Sequence, residues 1–149
     1  MKPLKNPFSK AIAYIGLGTN LGDKRGNLIN AAAMLGSNRN ISLLKLSDLY
    51  RTPAWGNAAQ PCFLNAVARI KSVLAPKQLL TALKEMENSL GRKTVNGRYQ
   101  PRLIDMDILF YDDKVVKSEN LIIPHPHLHK RRFVLAPMNE LAPNLLHPV

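Results

Sequence analysis

Residues 101–111 read PRLIDMDILFY, and the fold turns on how this run is folded. As a strand it alternates its side chains between two faces and rises about 3.3 Å per residue. Ile104, Met106, Ile108 and Phe110 then line one face, fit for a core, while Asp105 and Asp107 share the other. Their Cα atoms lie roughly 7 Å apart. Two like charges at that separation repel by about 2 kcal/mol at an effective dielectric near 20. Something positive belongs between them.

The flanks supply candidates. The preceding loop, RKTVNGRYQP, holds Arg92, Lys93 and Arg98, and Arg102 follows it three residues before Asp105. Four cations in those eleven residues exceed what two aspartates require. A D-x-D pair on a strand is often a solubilising pair, and each arginine could simply pair with an aspartate. Carboxylates beside several guanidiniums also suit phosphoryl-type transfer. Mg²⁺ takes oxygen ligands, binding one or two carboxylates plus substrate phosphates. Arginine offers planar, permanently charged donors to phosphate oxygens.

Further outward, the elements fall into an order. AIAYIGLG (11–18) is a short apolar run of strand formers ending in Gly16 and Gly18. From Gly22 to Leu35, Leu28, Ala31, Ala32 and Leu35 recur at helical spacing, and Gly36 can terminate the helix. ISLLKLSDLYRT (41–52) and FLNAVARIKS (63–72) each read as strands around the loop TPAWGNAAQP. Pro76 suits a first helical position, and Leu79, Leu80, Leu83, Met86, Glu87 and Leu90 follow with a 3.6-residue period up to Gly91. Strand, helix, strand, strand, helix, strand is the split βαβ pattern of ferredoxin-like α+β folds. A hairpin (KVVKSENLIIP), a His- and Pro-rich loop and a short helix around Phe133–Leu141 complete the chain. Residues 1–149 read as a single domain.

Composition sets the class. A chain of 149 residues, 46% of them hydrophobic, can bury a real core. Cys62 is the only cysteine, so no disulfide forms within the chain, which fits a reducing, cytoplasmic setting. The longest apolar runs fall short of the roughly 20 residues a membrane helix needs, and the basic start leads into a strand rather than a signal core. Twenty-one Lys and Arg against ten Asp and Glu give a formal charge of +11. That implies anionic company, either nucleic acid or a phosphorylated small molecule, unless the charge merely solubilises the surface.

Other candidates carry weaker signals. GLGTNLG (16–22) matches neither common phosphate-binding glycine pattern, so a tight strand-to-helix turn is expected there. In TPAWGNAAQPCFLNA, Trp55 or Phe63 beside Asn65 could stack on and hydrogen-bond a flat heterocycle. Equally, Phe63 could be core and Asn65 could satisfy a turn. His125 and His127 could ligate zinc, yet a histidine donating to a phosphate is as plausible.

Assembled, these residues resemble the 6-hydroxymethyl-7,8-dihydropterin pyrophosphokinases. The resemblance spans residues 11–148 and rests on AYIGLGTNLGD, YRTPAWG, QPCFLNAV, LGR, RYQPRLIDMDIL, IPHPHLHKRRFVLAPMNELAP and the final HP. It implies transfer of the β,γ-pyrophosphoryl group of ATP to the pterin hydroxymethyl oxygen, with release of AMP. It implies two Mg²⁺ ions held by Asp105 and Asp107, and Arg92 and Arg102, with Asp107, as the catalytic groups. Lys84, Glu87, Tyr99, Ile108, Leu121, His125 and Arg131 fall where relatives contact the nucleotide. The pterin would lie between Phe63 and Phe133, its polar edge read by Asn65 and by the backbone of Thr52, Pro53 and Trp55. A ferredoxin-like fold is implied as well, and a cytoplasmic monomer with no membrane or nucleic-acid partner is expected. The rival is a nucleic-acid-binding ferredoxin-like module. Its aromatic strand signatures are missing, and acids on a strand would repel a phosphate backbone.

Overall fold

The computed structural model describes residues 9–53, 61–91, 103–128 and 132–149, with the backbone alone for Arg132 and Phe133. Its elements run β1 (Ala11–Thr19), α1 (Lys24–Ser37), β2 (Ile41–Leu46), β3 (Tyr50–Thr52), β4 (Phe63–Ser72), α2 (Pro76–Ser89), β5 (Asp105–Tyr111), β6 (Val116–Lys117), β7 (Ile122–Ile123) and α3 (Arg132–Leu141). The main sheet has the order β2-β4-β1-β5, with β3 added on β4. Every pairing is antiparallel. This is the ferredoxin-like α+β arrangement that the element order implied.

Alternation along the strands separates two cores. Ala11, Ala13, Ile15 and Leu17 of β1 face α1 and α2, together with Ala66, Ala68 and Ile70 of β4 and Met106 and Ile108 of β5. Leu28, Ala31 and Leu35 of α1 and Leu79, Leu83 and Met86 of α2 close that layer. Full burial of each large aliphatic side chain contributes roughly 1.5–3 kcal/mol. On the opposite face α3 sets Val134, Met138 and Leu141 against Tyr14, Val67, Leu109 and Phe110. Asp23 caps α1 by accepting the Gly26 N–H at 3.0 Å, and Gln78 Oε1 accepts the Ala75 N–H at 2.9 Å at the start of α2. Gly91, at φ +86°, ends α2 in the left-handed conformation that favours glycine. The hairpin forms as β6 and β7. Among the described residues, no helix is long and apolar enough to cross a membrane.

Four local expectations are corrected. The run 41–52 is two strands, broken at residues 47–49. Buried Ser47 donates its N–H to the Val67 carbonyl and accepts the Val67 N–H on Oγ, both at 2.9 Å, so its side chain replaces a backbone rung. Gly16 and Gly18 form no turn: they lie inside β1, and Gly22, at φ +63°, takes the left-handed conformation in the turn. Gly36 does not end α1, which runs to Ser37 with extended Asn38 as its C-cap. Finally, Ile15 pairs with Ile108 but Tyr14 with Phe110, so Leu109 is an extra residue in β5. This β-bulge reverses the alternation. Phe110 therefore joins Leu109 under α3, instead of sharing a face with Met106 and Ile108.

Candidate active site

The bulge leaves the first half of β5 as the sequence implied. Asp105 and Asp107 share the face opposite Met106, Asp105 half-buried and Asp107 exposed. In the register of the sheet Asp105 stands opposite Gly18, which stands opposite Asn65, which stands opposite Tyr50. Directly opposed residues share a face, so these form one row across four strands. Asp107 and Gly16 begin a second row beside it. The two glycines leave the central strand bare between the acids and Asn65. Two interstrand spacings, about 10 Å, separate Asp105 from Asn65.

The bare strand is a tight fit at one end. A Cβ at position 18 would stand 2.9 Å from Asn65 Oδ1 and 3.8 Å from Phe63 Cδ1. Asn65, only 6% exposed, donates through Nδ2 to Thr52 Oγ1 at 2.8 Å, which fixes the amide's orientation. Half-buried Phe63 lies opposite Thr52. Phe63, Asn65, Thr52 and Gly18 thus form a compact cluster, and Pro53 follows it at the surface. The alternative of Phe63 as a plain core residue does not describe this placement.

Around β5 the other expected residues divide. Glu87, 1% exposed, accepts the Met106 N–H at 2.7 Å and meets Lys84 Nζ at 3.4 Å. Because Met106 gives its N–H to α2, alternation turns the backbone groups of Asp105 and Asp107 toward β1. His125 reaches the same strand, its N–H donating to the Leu109 carbonyl at 3.1 Å, and its Nδ1 accepts the His127 N–H at 3.3 Å. Ile108 and Leu121 are both buried in the core under α1 and α2. Trp55, Arg92, Tyr99, Arg102 and Arg131 lie outside the described residues, as does the side chain of Phe133.

Among the described residues, no three or more of His, Cys, Asp and Glu gather as a ligand group. The zinc alternative for His125 and His127 thus finds no further ligand there. Two neighbouring carboxylates over an open strand suit instead a hard cation that keeps water and substrate oxygens as its remaining ligands. Two tyrosine hydroxyls, those of Tyr50 and Tyr111, are made less acidic. Tyr50 is raised first by its hydrogen bond to Glu140, then by desolvation and by the charges of Glu140 and Asp48. Tyr111 is raised by burial and then by Asp112.

Three contributors left no mark in the sequence pattern. Glu140 of α3 binds the Asp48 N–H and the Tyr50 hydroxyl, Lys24 donates to the Cys62 carbonyl at 2.8 Å, and Ser47 makes the strand break. A glutamate on an otherwise amphipathic helix is the one signal that could have pointed to Glu140.

Known proteins resemble the chain in sequence and in fold. The family model for 7,8-dihydro-6-hydroxymethylpterin-pyrophosphokinase (HPPK) matches residues 14–143. The 2-amino-4-hydroxy-6-hydroxymethyldihydropteridine pyrophosphokinase of Aquifex aeolicus is 40% identical over 139 residues, 93% of this chain and 85% of the relative. Its counterpart in Bacillus subtilis is 42% identical over 130 residues, 87% of this chain and 77% of the relative. Among solved structures, wild-type HPPK-DHPS of Plasmodium falciparum with pteroate superposes at a TM-score of 0.75 and 16% identity. That alignment covers 97% of this chain and 41% of the fused one, and supports the fold. The chain therefore belongs to the 7,8-dihydro-6-hydroxymethylpterin-pyrophosphokinase family.

Proposed function

We propose a division of labour along the row Asp105–Gly18–Asn65 for the reaction of this family. The protein transfers the pyrophosphoryl group of ATP to the hydroxymethyl group of 6-hydroxymethyl-7,8-dihydropterin, a step of folate biosynthesis. The alcohol oxygen bonds to the β-phosphorus, the bond from that phosphorus to the α-phosphate oxygen breaks, and AMP leaves as the hydroxyl loses its proton. Asp105 and Asp107 would hold two Mg²⁺ ions together with the triphosphate, and ions bound there would supply positive charge against the charge that builds in the transition state.

The chain's own residues supply position. Asn65, oriented by Thr52, reads the polar edge of the pterin, while Phe63 and Phe133 hold its faces and Pro53 and Trp55 border it. The glycine strand lets the flat ring lie close against the sheet. A ring fixed at Asn65 directs its hydroxymethyl arm across Gly18 toward the acids, about 10 Å away. Positioning of this kind can supply much of a rate enhancement. Arg92 and Arg102 stabilise the transferring group. Lys84, Glu87, Tyr99, Ile108, Leu121, His125 and Arg131 form the nucleotide side, where the burial of Ile108 and Leu121 leaves their backbone as the contact. Residues 1–149 act as one pyrophosphokinase domain, a cytoplasmic monomer without a nucleic-acid partner, in keeping with a lone cysteine and two cores packed on the opposite faces of one sheet.

The observation that carries this reading is the glycine-floored row joining Asp105, with Asp107 beside it, to a buried, pre-oriented amide. Incubation with ATP, Mg²⁺ and the hydroxymethyl pterin should release AMP; release of ADP would make the protein an ordinary kinase. Asp107→Ala should abolish turnover yet unfold within a few degrees of the parent, because an exposed acid contributes little packing. Near-normal activity in that variant would remove Asp107 from the site.

A further inference from the structure

The break between β2 and β3 is fastened from outside the sheet. Glu140 accepts the Asp48 N–H on both carboxylate oxygens, at 3.0 and 3.1 Å, and the Tyr50 hydroxyl at 2.9 Å. Tyr50 stands opposite Asn65 in the β3–β4 register, and two residues on, Thr52 accepts the Asn65 amide. Glu140 occupies the last turn of α3, whose first turn holds position 133. Seven residues at 1.5 Å each put the two ends about 10 Å apart.

Among the described residues, the other contacts of α3 are apolar: Val134, Met138 and Leu141 against Tyr14, Val67, Leu109 and Phe110. Apolar contact sets the distance between layers but is non-directional, so it resists sliding along the strands poorly. Hydrogen bonds have narrow distance and angle limits and do resist it. Pro137 lies inside α3 and has no N–H to give the carbonyl of residue 133, so the first turn is held less firmly by its own helix.

We propose that Glu140 is a positioning residue for the pterin: by latching α3 to β3 it fixes the spacing between the wall bearing Thr52 and Asn65 and the wall beginning at residue 133. It touches no substrate in this scheme. The inference rests on the pterin placement given above.

Initial rates with the pterin varied at saturating ATP, and the converse, test it, with thermal unfolding followed alongside. Glu140→Ala should raise the pterin KM by about five- to twentyfold, the scale of one or two hydrogen bonds, and leave the ATP KM within about twofold. Glu140→Gln keeps an acceptor oxygen and should recover most of the loss. Tyr50→Phe should raise the pterin KM by about two- to fivefold alone and add little on top of Glu140→Ala, since both act through one latch. Asn65→Ala tests the underlying placement: an unchanged pterin KM there refutes the pterin site itself. If Asn65→Ala raises that KM while Glu140→Ala leaves it unchanged, or raises both KM values alike, the latch is refuted. Should Glu140→Ala not fold, Tyr50→Phe decides, and an unchanged pterin KM refutes the latch.

Discussion

A single methyl group placed on the bare strand separates stability from substrate recognition. In Gly18→Ala the new Cβ would lie 2.9 Å from Asn65 Oδ1, closer than real Cβ contacts come, so the amide must turn or the strands must part. The backbone does not object, because Gly18 is not among the positive-φ glycines. Alanine in a strand interior even gains about 0.5–1 kcal/mol over glycine. Against that gain stands the Asn65–Thr52 hydrogen bond, which a turned amide loses. Leaving a buried polar group unpaired costs about 1–3 kcal/mol. The net loss of stability is thus about 1 kcal/mol, a fall of roughly 2–4 °C in Tm for a chain of this size.

The effect on the pterin should be much larger. A displaced Asn65 forfeits its own hydrogen bonds to the ring, and the methyl group lifts the ring from the strand. Two hydrogen bonds at about 1–1.5 kcal/mol each correspond to roughly a 30- to 150-fold rise in pterin KM. Release of AMP, followed with the pterin varied at saturating ATP, reads this directly. Gly16→Ala is the control: its Cβ would meet Leu109 Cδ2 at 3.3 Å, a flexible apolar end that can give way. A pterin KM for Gly18→Ala within twofold of the parent would show that the floor need not be bare.

Other outcomes follow from the same contacts. Glu87→Ala orphans the Met106 N–H and should destabilise by about 2–3 kcal/mol in chemical denaturation, with Glu87→Gln losing markedly less; equal losses would show that the carboxylate is not the strand's acceptor. Ser47→Ala removes the acceptor of a buried N–H at Val67 and should cost about 1–3 kcal/mol, so an unchanged denaturation midpoint would contradict the side-chain rung. Tyr50 and Tyr111 have folded pKa values raised above the ordinary value of 10.0. Their contribution is fully present below pH 10 and is lost as pH rises through the folded values, so stability should decline in alkali and tyrosinate absorbance should appear late. A Tyr50→Phe, Tyr111→Phe chain with an unchanged alkaline limb would refute that assignment.

The sequence carried the fold wherever one period dominated. Strands of period 2 and helices of period 3.6 placed β1, β4, α1 and α2 within a few residues, and the alternation in DMD placed both acids on one face. The bulge was illegible because Ile108, Leu109, Phe110 and Tyr111 are all apolar. Either phase satisfies such a run, and pairing with β1 makes the choice. The break at Ser47 was hidden for a related reason: a serine hydroxyl can occupy a backbone position in the ladder, and nothing in ISLLKLSDLYRT marks which serine does so. Gly16 and Gly18 were read as a turn because glycine permits one; their use as open space emerges only when Asn65 stands opposite. Glu87 showed its helical phase but not its burial, since the N–H that it accepts comes from a strand 19 residues away.

The phase change in β5 explains how one short edge strand serves both chemistry and packing. Before the bulge, Asp105 and Asp107 face the side on which α3 lies; after it, Leu109 and Phe110 fill that side and seat the helix. Regular alternation would have left one of these two beneath α1 and α2 and narrowed the seat of α3. The bare edge that a strand exposes is closed on either side of Asp107: Glu87 takes the Met106 N–H, and the His125 N–H caps the Leu109 carbonyl. The acids are therefore held by β1 along one edge and by α2 and the histidine loop along the other. A strand so held has little backbone reorganisation left when cationic charge arrives, and preorganisation of that kind is what makes electrostatic stabilisation effective.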